Sequence, residues 1–252
     1  MSNLRTNLRM RNAHVDNYAP LSHSQISTNL EHLSSSSECN LEPMKRLALH
    51  TCCAPCLIGV YPAVSSEIVG EFDHVTAVFY NPNIAPEEEY IKRRDVCADY
   101  AHAHGIHFVE IDSADEWQQA VAEIIVYPTI EGHSVRESEC LVCYRLRLGR
   151  TAEWADENGY DAFATTLSIS PWQNIEAINQ AGIERCEIMQ SRHRSVTFAK
   201  YDFRGYYKDA QHTARSLGVY CQNYCGCLPS KRAAEQQRAA RKKVEKQVRK
   251  ND

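Results

Sequence analysis

Apolar positions in this chain fall into short runs separated by polar stretches of helical period. Arg46–His50 (RLALH) has the pattern of a short buried strand and ends at Thr51 and a cysteine cluster. Residues 75–80 (VTAVFY) form a second, β-branched and aromatic run stopped by Asn81-Pro82-Asn83. A helix is predicted from Pro86, where proline fits the first helical position, Glu87, Glu88 and Glu89 suit a positive helix N-terminus, and Gly105 can end it. Residues 107–111 (HFVEI) are a third strand, and helices are predicted over 117–126 and 138–158, the latter closed by Gly159. Residues 161–166 (DAFATT) are a fourth strand, running into Ser170, a predicted N-cap, and Pro171, predicted to open the next helix. A last helix over 206–217 ends at Gly218. Strand and helix patterns in alternation predict an α/β fold, a Rossmann-like parallel sheet with flanking helices. Ligands of such sheets sit outside the carboxyl ends of the strands, where residues 52–56, 81–84 and 165–171 all fall.

The flanks read differently. Residues 1–44 are polar with a serine run at 34–37, the composition of a flexible N-terminal extension. Residues 231–252 carry nine Lys and Arg against three Asp and Glu and read as a basic C-terminal helix or tail. The catalytic domain is therefore expected over 45–230. The net charge of -4 gives no global nucleic-acid footprint. No apolar run approaches the ~18 residues of a membrane span, and the N-terminus lacks the apolar segment of a secretory signal. A cytoplasmic protein, with no membrane partner, is expected.

Eleven cysteines change this otherwise ordinary picture. Thiols in a reducing compartment point to metal or redox chemistry rather than a disulfide framework. Three groups stand out: Cys52-Cys53-Ala54-Pro55-Cys56, Cys140-Leu141-Val142-Cys143 and Cys225-Gly226-Cys227. Cys97 and Cys186 read as small buried apolar residues, and Cys39 and Cys221 carry no assignment. A structural zinc favours two Cys-x2-Cys knuckles. Here one pair is vicinal and lies at a sheet edge, where adjacent thiolates can each take one iron of a cubane while Cys140 and Cys143 supply the rest. The spacing favours iron–sulfur over zinc, with Cys56, Cys225 and Cys227 left as a second thiol constellation. No glycine follows the first strand, so the phosphate cradle of nucleotide-binding relatives of this fold class is missing.

The motifs His50-Thr-Cys-Cys-Ala-Pro-Cys56, Tyr80-Asn-Pro-Asn-Ile84 with Glu89-Tyr90 and Arg93, Cys140-x2-Cys143-Tyr144-x2-Arg147, Thr165-Thr166-Leu167-x2-Ser170-Pro171-x-Gln173 and Gln222-x-Tyr224-Cys225-Gly226-Cys227-x2-Ser230 occur in that order. Together they resemble epoxyqueuosine reductase of the QueH type, over residues 45–230. The resemblance implies the last step of queuosine biosynthesis, a two-electron reductive deoxygenation of epoxyqueuosine to queuosine at the wobble position of a tRNA anticodon. It implies a [4Fe-4S] cluster on Cys52, Cys53, Cys140 and Cys143. It further implies a second, mononuclear iron held by Cys56, Cys225 and Cys227, although some members carry aspartate at the position of Cys56. Alternatively Cys225 and Cys227 form a redox-active dithiol that cycles through a disulfide bond. An external electron donor is required.

A Lewis-acidic iron beside a cluster suits the chemistry, since it can polarise the epoxide C–O bond while electrons arrive across a short gap. His50, Tyr80 and Tyr144 are candidate proton donors, with a satisfied structural role as the plainer reading of His50. Asn81 and Asn83 are either turn residues or hydrogen-bonding partners of the modified base or its cyclopentene diol. For tRNA, Arg192, His193, Arg194, Lys200 and Arg204 interleave with Phe198, Tyr201, Phe203, Tyr206 and Tyr207, a composition shared by base-receiving surfaces and by solvated edges. Two readings from other classes remain open on the residues alone: a zinc-stabilised nucleic-acid-binding module, and a thiol–disulfide redox protein.

Overall fold

The computed structural model describes residues 44–65, 70–112, 116–126 and 134–251. The extension read over 1–44 therefore lies outside the described residues except for Met44, as does Cys39.

Five parallel strands form one sheet in the order β3-β2-β1-β4-β5, with β1 at Arg46–His50, β2 at His74–Phe79, β3 at His107–Glu110, β4 at Ala162–Thr165 and β5 at Thr197–Phe198. Leu47 is in register with Val75 on one side and Ala162 on the other, so β1 is the central strand. β1, β2 and β4 are buried almost throughout, as a parallel sheet covered on both faces requires. Leu47, Leu49, Val78, Phe79 and Phe163 fill the core at full burial.

Helices α1 (Ala54–Val64), α2 (Glu87–Ala103), α3 (Glu116–Val126), α4 (Val135–Glu157), α5 (Ile175–Ser191), α6 (Tyr207–Ser216) and α7 (Leu228–Asn251) complete the chain. α1 and α6 pack so closely that a Cβ at Gly59 would lie 2.5 Å from the Ala210 Cβ. The sequence pattern did not single out α1, whose Pro55 sits in the first turn but whose Pro62 lies inside the helix. The basic segment read over 231–252 lies in α7, which is mostly exposed over 231–247.

Three predicted boundaries move, each for a local reason. Pro86 is the N-cap of α2 rather than its first helical residue. α4 begins at Val135 because Ser134 and Glu137 form a reciprocal capping box. α5 does not open at Pro171: Thr166–Ile169 is a short 3-10 turn, and Asn174 caps the helix by accepting from the Ala177 N–H at 3.0 Å. The element order 1-2-3 runs outward from β1 on one side, then jumps to β4 on the other. The carboxyl ends of β1 and β4 are thus the topological switch point, the crevice where this fold class binds its ligands.

Candidate metal centre

Cys52 and Cys53 leave β1 directly into the start of α1, and Cys56 lies in its first turn. The sulfurs of these three lie within 4.8 Å of one another, with the Cys52 and Cys53 Sγ atoms 3.7 Å apart. The loop is tied across the switch point, since Thr166 Oγ1 accepts from the Cys52 N–H at 3.2 Å and donates to its Sγ at 3.5 Å. Neighbouring thiols stabilise charge on one sulfur at the expense of the others. Hydrogen bonds from Cys53 and Cys56 hold Cys52 well below the ordinary thiol range, whereas burial pushes Cys53 above it and the Cys52 contact raises Cys56.

α4 carries the second group. Cys140, Cys143, Tyr144 and Arg147 recur at i, i+3, i+4 and i+7 and so share one helix face. Burial pushes the Cys143 thiol up to about 12, an effect opposed by Arg147, whose Nη1 donates to its Sγ at 3.7 Å. Cys140 is raised by burial as well, against the pull of Arg136.

The third group follows α6. Gly226 has φ +138°, and a Cβ there would lie 2.9 Å from Ile84 Cγ1, so only glycine permits this turn between Cys225 and Cys227. Each sulfur has a donor: Gln173 Nε2 reaches Cys225 Sγ at 3.1 Å, and Arg136 reaches Cys227 Sγ from both Nη atoms at 3.4 Å. Burial raises the Cys225 thiol, Arg147 lowers it, and the charges of Cys227 and Cys52 raise it again. Cys140 and Cys143 in turn feel Cys225 and Cys227. Among the described residues only Cys52, Cys53 and Cys56 bring their sulfurs within 4.8 Å of one another, so Cys56 lies with the vicinal pair, and the other two groups are linked to it only through the charges their sulfurs exert on one another.

Buried cations complete it. Arg147 is 1% exposed, donating through Nε to His50 Nε2 at 3.2 Å, through Nη2 to Asn81 Oδ1, and through Nη1 to Cys143. Among the described residues no carboxylate pairs with it. A buried guanidinium is costly without an anion, and the groups around it that can carry negative charge are the sulfurs of Cys143, Cys52 and Cys225, of which Cys52 is the one held below the ordinary thiol range. Arg93, also buried, donates to Glu89 at 2.7 Å and to the carbonyls of Cys225 and Tyr224 at 2.9 and 3.1 Å. The donor set is thus sulfur-rich and enclosed by fixed positive charge, which fits a soft metal on thiolates. The ten described cysteines are free thiols.

Of the candidate proton donors, His50 is fully buried and held neutral by burial and by Arg147. Its Nδ1 lies 2.8 Å from Thr165 Oγ1, and its Nε2 lies 3.2 Å from both the Arg147 Nε donor and the Tyr80 carbonyl, so both ring nitrogens are engaged inside the fold. Its role is the structural one. The Tyr80 hydroxyl donates to Glu116. Tyr144 donates to Gln173 Oε1 at 2.6 Å and so orients the amide that holds Cys225; burial, and then its cysteine neighbours, push its hydroxyl up and keep it protonated. Asn81 is consumed structurally, donating to the Thr51 carbonyl at 2.9 Å and accepting from Arg147. Asn83, 1% exposed, has no partner for either side-chain polar atom.

Other residues escaped the sequence reading or fall differently from it. Gln222 Nε2 donates to Cys53 Sγ at 2.7 Å, and Trp172, 77% exposed beside Tyr207, presents a bare indole. Arg136 could have been found from its place one turn before Cys140. Cys97 is buried as read, but Cys186 is only partly so and its Sγ accepts from the Phe198 N–H at 2.9 Å. In the candidate tRNA surface, Arg194 and Arg204 are paired with Asp156 and Asp202, which reduces its free positive charge.

A family model described as Epoxyqueuosine reductase QueH matches residues 47–233. Epoxyqueuosine reductase QueH of Acinetobacter baylyi is 32% identical over 190 residues, covering 74% of this chain and 81% of that protein. Its counterpart from Histophilus somni is 31% identical over 205 residues, with 79% of each covered, and that from Thermotoga maritima is 32% identical over 191 residues, with 73% and 90% covered. Among solved structures, the U34-tRNA thiolase NcsA from Methanococcus maripaludis with its [4Fe-4S] cluster overlaps 71% of this chain and 58% of that one at a TM-score of 0.40 and 14% identity, a likeness too distant to argue from.

Proposed function

Because this chain belongs to the epoxyqueuosine reductase QueH family, we propose that it reduces the epoxide of epoxyqueuosine in the anticodon of tRNA, at the switch-point cysteines. The reaction takes two electrons and two protons: both epoxide C–O bonds break, the single bond between the two carbons becomes a double bond, and the oxygen leaves as water. The electrons come from an external donor.

Cys52, Cys53, Cys140 and Cys143 would hold a [4Fe-4S] cluster, whose chemistry there is the delivery of single electrons. Cys56, Cys225 and Cys227 remain for a mononuclear iron, which would supply Lewis-acid polarisation of the epoxide. The observation that carries this reading is the buried Arg147, which among the described residues has no carboxylate to balance it, donates to Cys143 and feels the charge of Cys52 and Cys225. Arg93 and Arg136 add positive charge around the same sulfurs. Donors from Thr166, Gln222, Gln173 and Arg136 withdraw electron density from sulfur, which favours the reduced state. Tyr144 and Gln173 fix the Cys225 side chain at the face left for substrate.

For tRNA, the exposed Trp172 offers a stacking face beside Gln173, and α7 offers phosphate attraction that weakens with salt. Reduced thiols on this scale fit a cytoplasmic setting. No helix among the described residues is long and apolar enough to cross a membrane.

The test is anaerobic. Purified protein should be brown, bleach with dithionite, and convert epoxyqueuosine in tRNA to queuosine, read by nucleoside analysis. Iron-loaded, reduced protein that leaves epoxyqueuosine intact would overturn the assignment. A colourless protein with stoichiometric zinc would favour a nucleic-acid-binding module instead.

A further inference from the structure

The chain from Tyr220 to Cys227 is strapped to the start of α2 and to the loop before it by contacts that belong to the protein alone. Arg93, 2% exposed, engages its whole fork there: Nε donates to Glu89 at 2.7 Å, Nη1 to the Cys225 carbonyl at 2.9 Å and Nη2 to the Tyr224 carbonyl at 3.1 Å. Its guanidinium also lies 4.9 Å from the centroid of the Tyr224 ring. Glu89 is held in turn by the Tyr220 hydroxyl, which lies 3.2 and 3.0 Å from its two oxygens. The Tyr224 hydroxyl donates to the Ala85 carbonyl at 3.0 Å.

These contacts fix the backbone that carries Cys225 and Cys227. Two consecutive carbonyls turned toward one guanidinium curl the chain just before Gly226, whose φ of +138° completes the turn. The remaining groups are engaged as well. Ala85 N–H donates to the Gly226 carbonyl at 3.0 Å, Gly226 N–H to Ser230 Oγ at 3.3 Å, and Ser230 Oγ and Lys231 N–H to the Cys227 carbonyl at 2.8 and 3.0 Å. Every carbonyl from Tyr224 to Cys227 therefore has a donor inside the fold. The two sulfurs are held from separate elements, Cys225 by Gln173 after the 3-10 turn and Cys227 by Arg136 at the start of α4. A disulfide needs its sulfurs about 2 Å apart and its Cβ atoms about 3.8 Å apart. Closing one here takes the sulfurs off those donors and rotates peptide units whose carbonyls are already bound.

Resting on the reading of Cys225 and Cys227 as metal ligands, we propose that Arg93 is a positioning residue: it fixes the Cys225-Gly226-Cys227 turn so that the pair presents two separate thiols and does not close to a disulfide. Glu89 and Tyr220 set the Arg93 fork, so the hold runs from α2 into the turn. A lysine cannot replace it, because an ammonium is a point charge that does not meet two carbonyls and a carboxylate in one plane. The same hold opposes a cycle in which the pair passes electrons by opening and closing a disulfide.

The test reads thiols and so does not depend on turnover. Full-length wild type, Arg93→Lys and a control on another ion pair, Arg185→Lys, are freed of metal by anaerobic chelation and equilibrated with mixtures of reduced and oxidised dithiothreitol. Closure of the pair gives up two electrons and two protons to the oxidised reagent. Alkylation with peptide mass spectrometry counts the chains linked between Cys225 and Cys227, and a peptide of residues 222–230 is the unstrapped reference. The peptide should close about a hundredfold more readily than the wild type and Arg93→Lys about tenfold, since each hydrogen bond from a charged donor is worth about a factor of ten or more. Tenfold corresponds to about 30 mV for this two-electron couple. Arg185→Lys, which keeps a cation beside Glu153, should match the wild type. With iron loaded, Arg93→Lys should keep the visible absorption and the KM for tRNA carrying epoxyqueuosine while kcat falls about tenfold or more. A wild type that closes as readily as the peptide, an Arg93→Lys that closes no more readily than the wild type, or an equal shift in Arg185→Lys overturns the proposal, as does a raised KM with kcat intact. If Arg93→Lys does not fold, Glu89→Gln, which loosens the same fork, takes its place with the same expected direction. A wild type whose thiols follow this pattern but which leaves epoxyqueuosine intact overturns the reading of the reaction and not the hold on the turn.

Discussion

Arg147→Met tests the electrostatic design of the centre directly. The replacement keeps an unbranched apolar stem out to about the position of Nε and removes the charge and three donated contacts, to His50, Asn81 and Cys143. A unit charge 4 Å from a thiolate is worth about 4 kcal/mol at an effective dielectric of 20. An added electron spread over a bound cluster would interact more weakly, and for a separation taken as about 8 Å the same law gives about 2 kcal/mol. At about 1.4 kcal/mol for each 59 mV of a one-electron couple, that is on the order of 90 mV. The reduction potential of the variant is therefore expected to fall by roughly that amount, because the reduced state carries more negative charge and has lost its counter-ion.

A second consequence is independent of redox chemistry. The substitution strands the Asn81 Oδ1 without its donor in a buried setting, at about 1–3 kcal/mol, and leaves the His50 Nε2 with the Tyr80 carbonyl alone. Iron content, a potentiometric titration followed by electron paramagnetic resonance, and thermal unfolding read the three effects separately. Arg147→Lys retains charge but not the fork of donors, and should recover much of the potential and little of the stability. An Arg147→Met protein with wild-type potential and full iron would refute the claim that this guanidinium balances the sulfurs.

Other outcomes follow from the same geometry. Cys52→Ser and Cys143→Ser should each lose bound iron and activity together, and full iron in either would remove it from the ligand set. Cys225→Ala should keep the visible absorption while turnover drops; unchanged turnover would take that thiol out of the reaction. Gly226→Ala forces a side chain into a positive-φ turn and against Ile84, at about 1–3 kcal/mol, so its thermal midpoint should fall while a matched Gly205→Ala, with open space around it, should not. His74 is held below the ordinary imidazole range by burial, then by Arg46 and His107. The unfolded chain thus takes up a proton near pH ~6.5 that the folded chain resists, and stability should decline as pH falls below that value. His74→Gln should flatten this acid limb, and superimposable limbs would contradict the assignment.

Much of the sheet was legible because β1, β2 and β4 are continuous apolar runs, the form a doubly covered parallel strand must take. The α/β class and the family resemblance both hold. What local patterns conceal is closure. The Ser134-Val-Arg-Glu137 box was readable but lay just outside the apolar period used to place α4. Pro171 looked like a helix opener, yet the 3-10 turn after β4 displaces the cap to Asn174, because Thr165 and Thr166 are engaged with His50 and Cys52 across the switch point. No one-dimensional signal carries that. For the site, cysteine spacing nominated the sulfurs, but the residues around them are set by tertiary contact. Arg147 stood in a quoted motif without a role, Arg136 and Gln222 had no assigned role, and Asn81 and Asn83 looked equivalent until one proved saturated and the other unpaired.

The position of Cys52 and Cys53 shows why a thiol centre can occupy this crevice at all. In sheets of this class the loop after β1 ends at a helix N-terminus whose free N–H groups and dipole favour an anion, and the usual anion is a phosphate cradled by glycines. α1 keeps that helix N-terminus, with Cys53 at the cap and Pro55 in the first turn, but has no glycine there and is buried from Ala54 through Ile58. A phosphate needs room and bare backbone; a thiolate needs neither, since it brings its own side chain. The same helix end that would hold a phosphate favours ionised sulfur, and Thr166 and Arg147 extend that preference across the switch point. The crevice has kept its electrostatic preference for an anion and exchanged a ligand's oxygens for the chain's own sulfurs. That exchange ties the anion to the fold, so any change that opens the β1–β4 edge should disturb the metal centre before it disturbs the rest of the sheet.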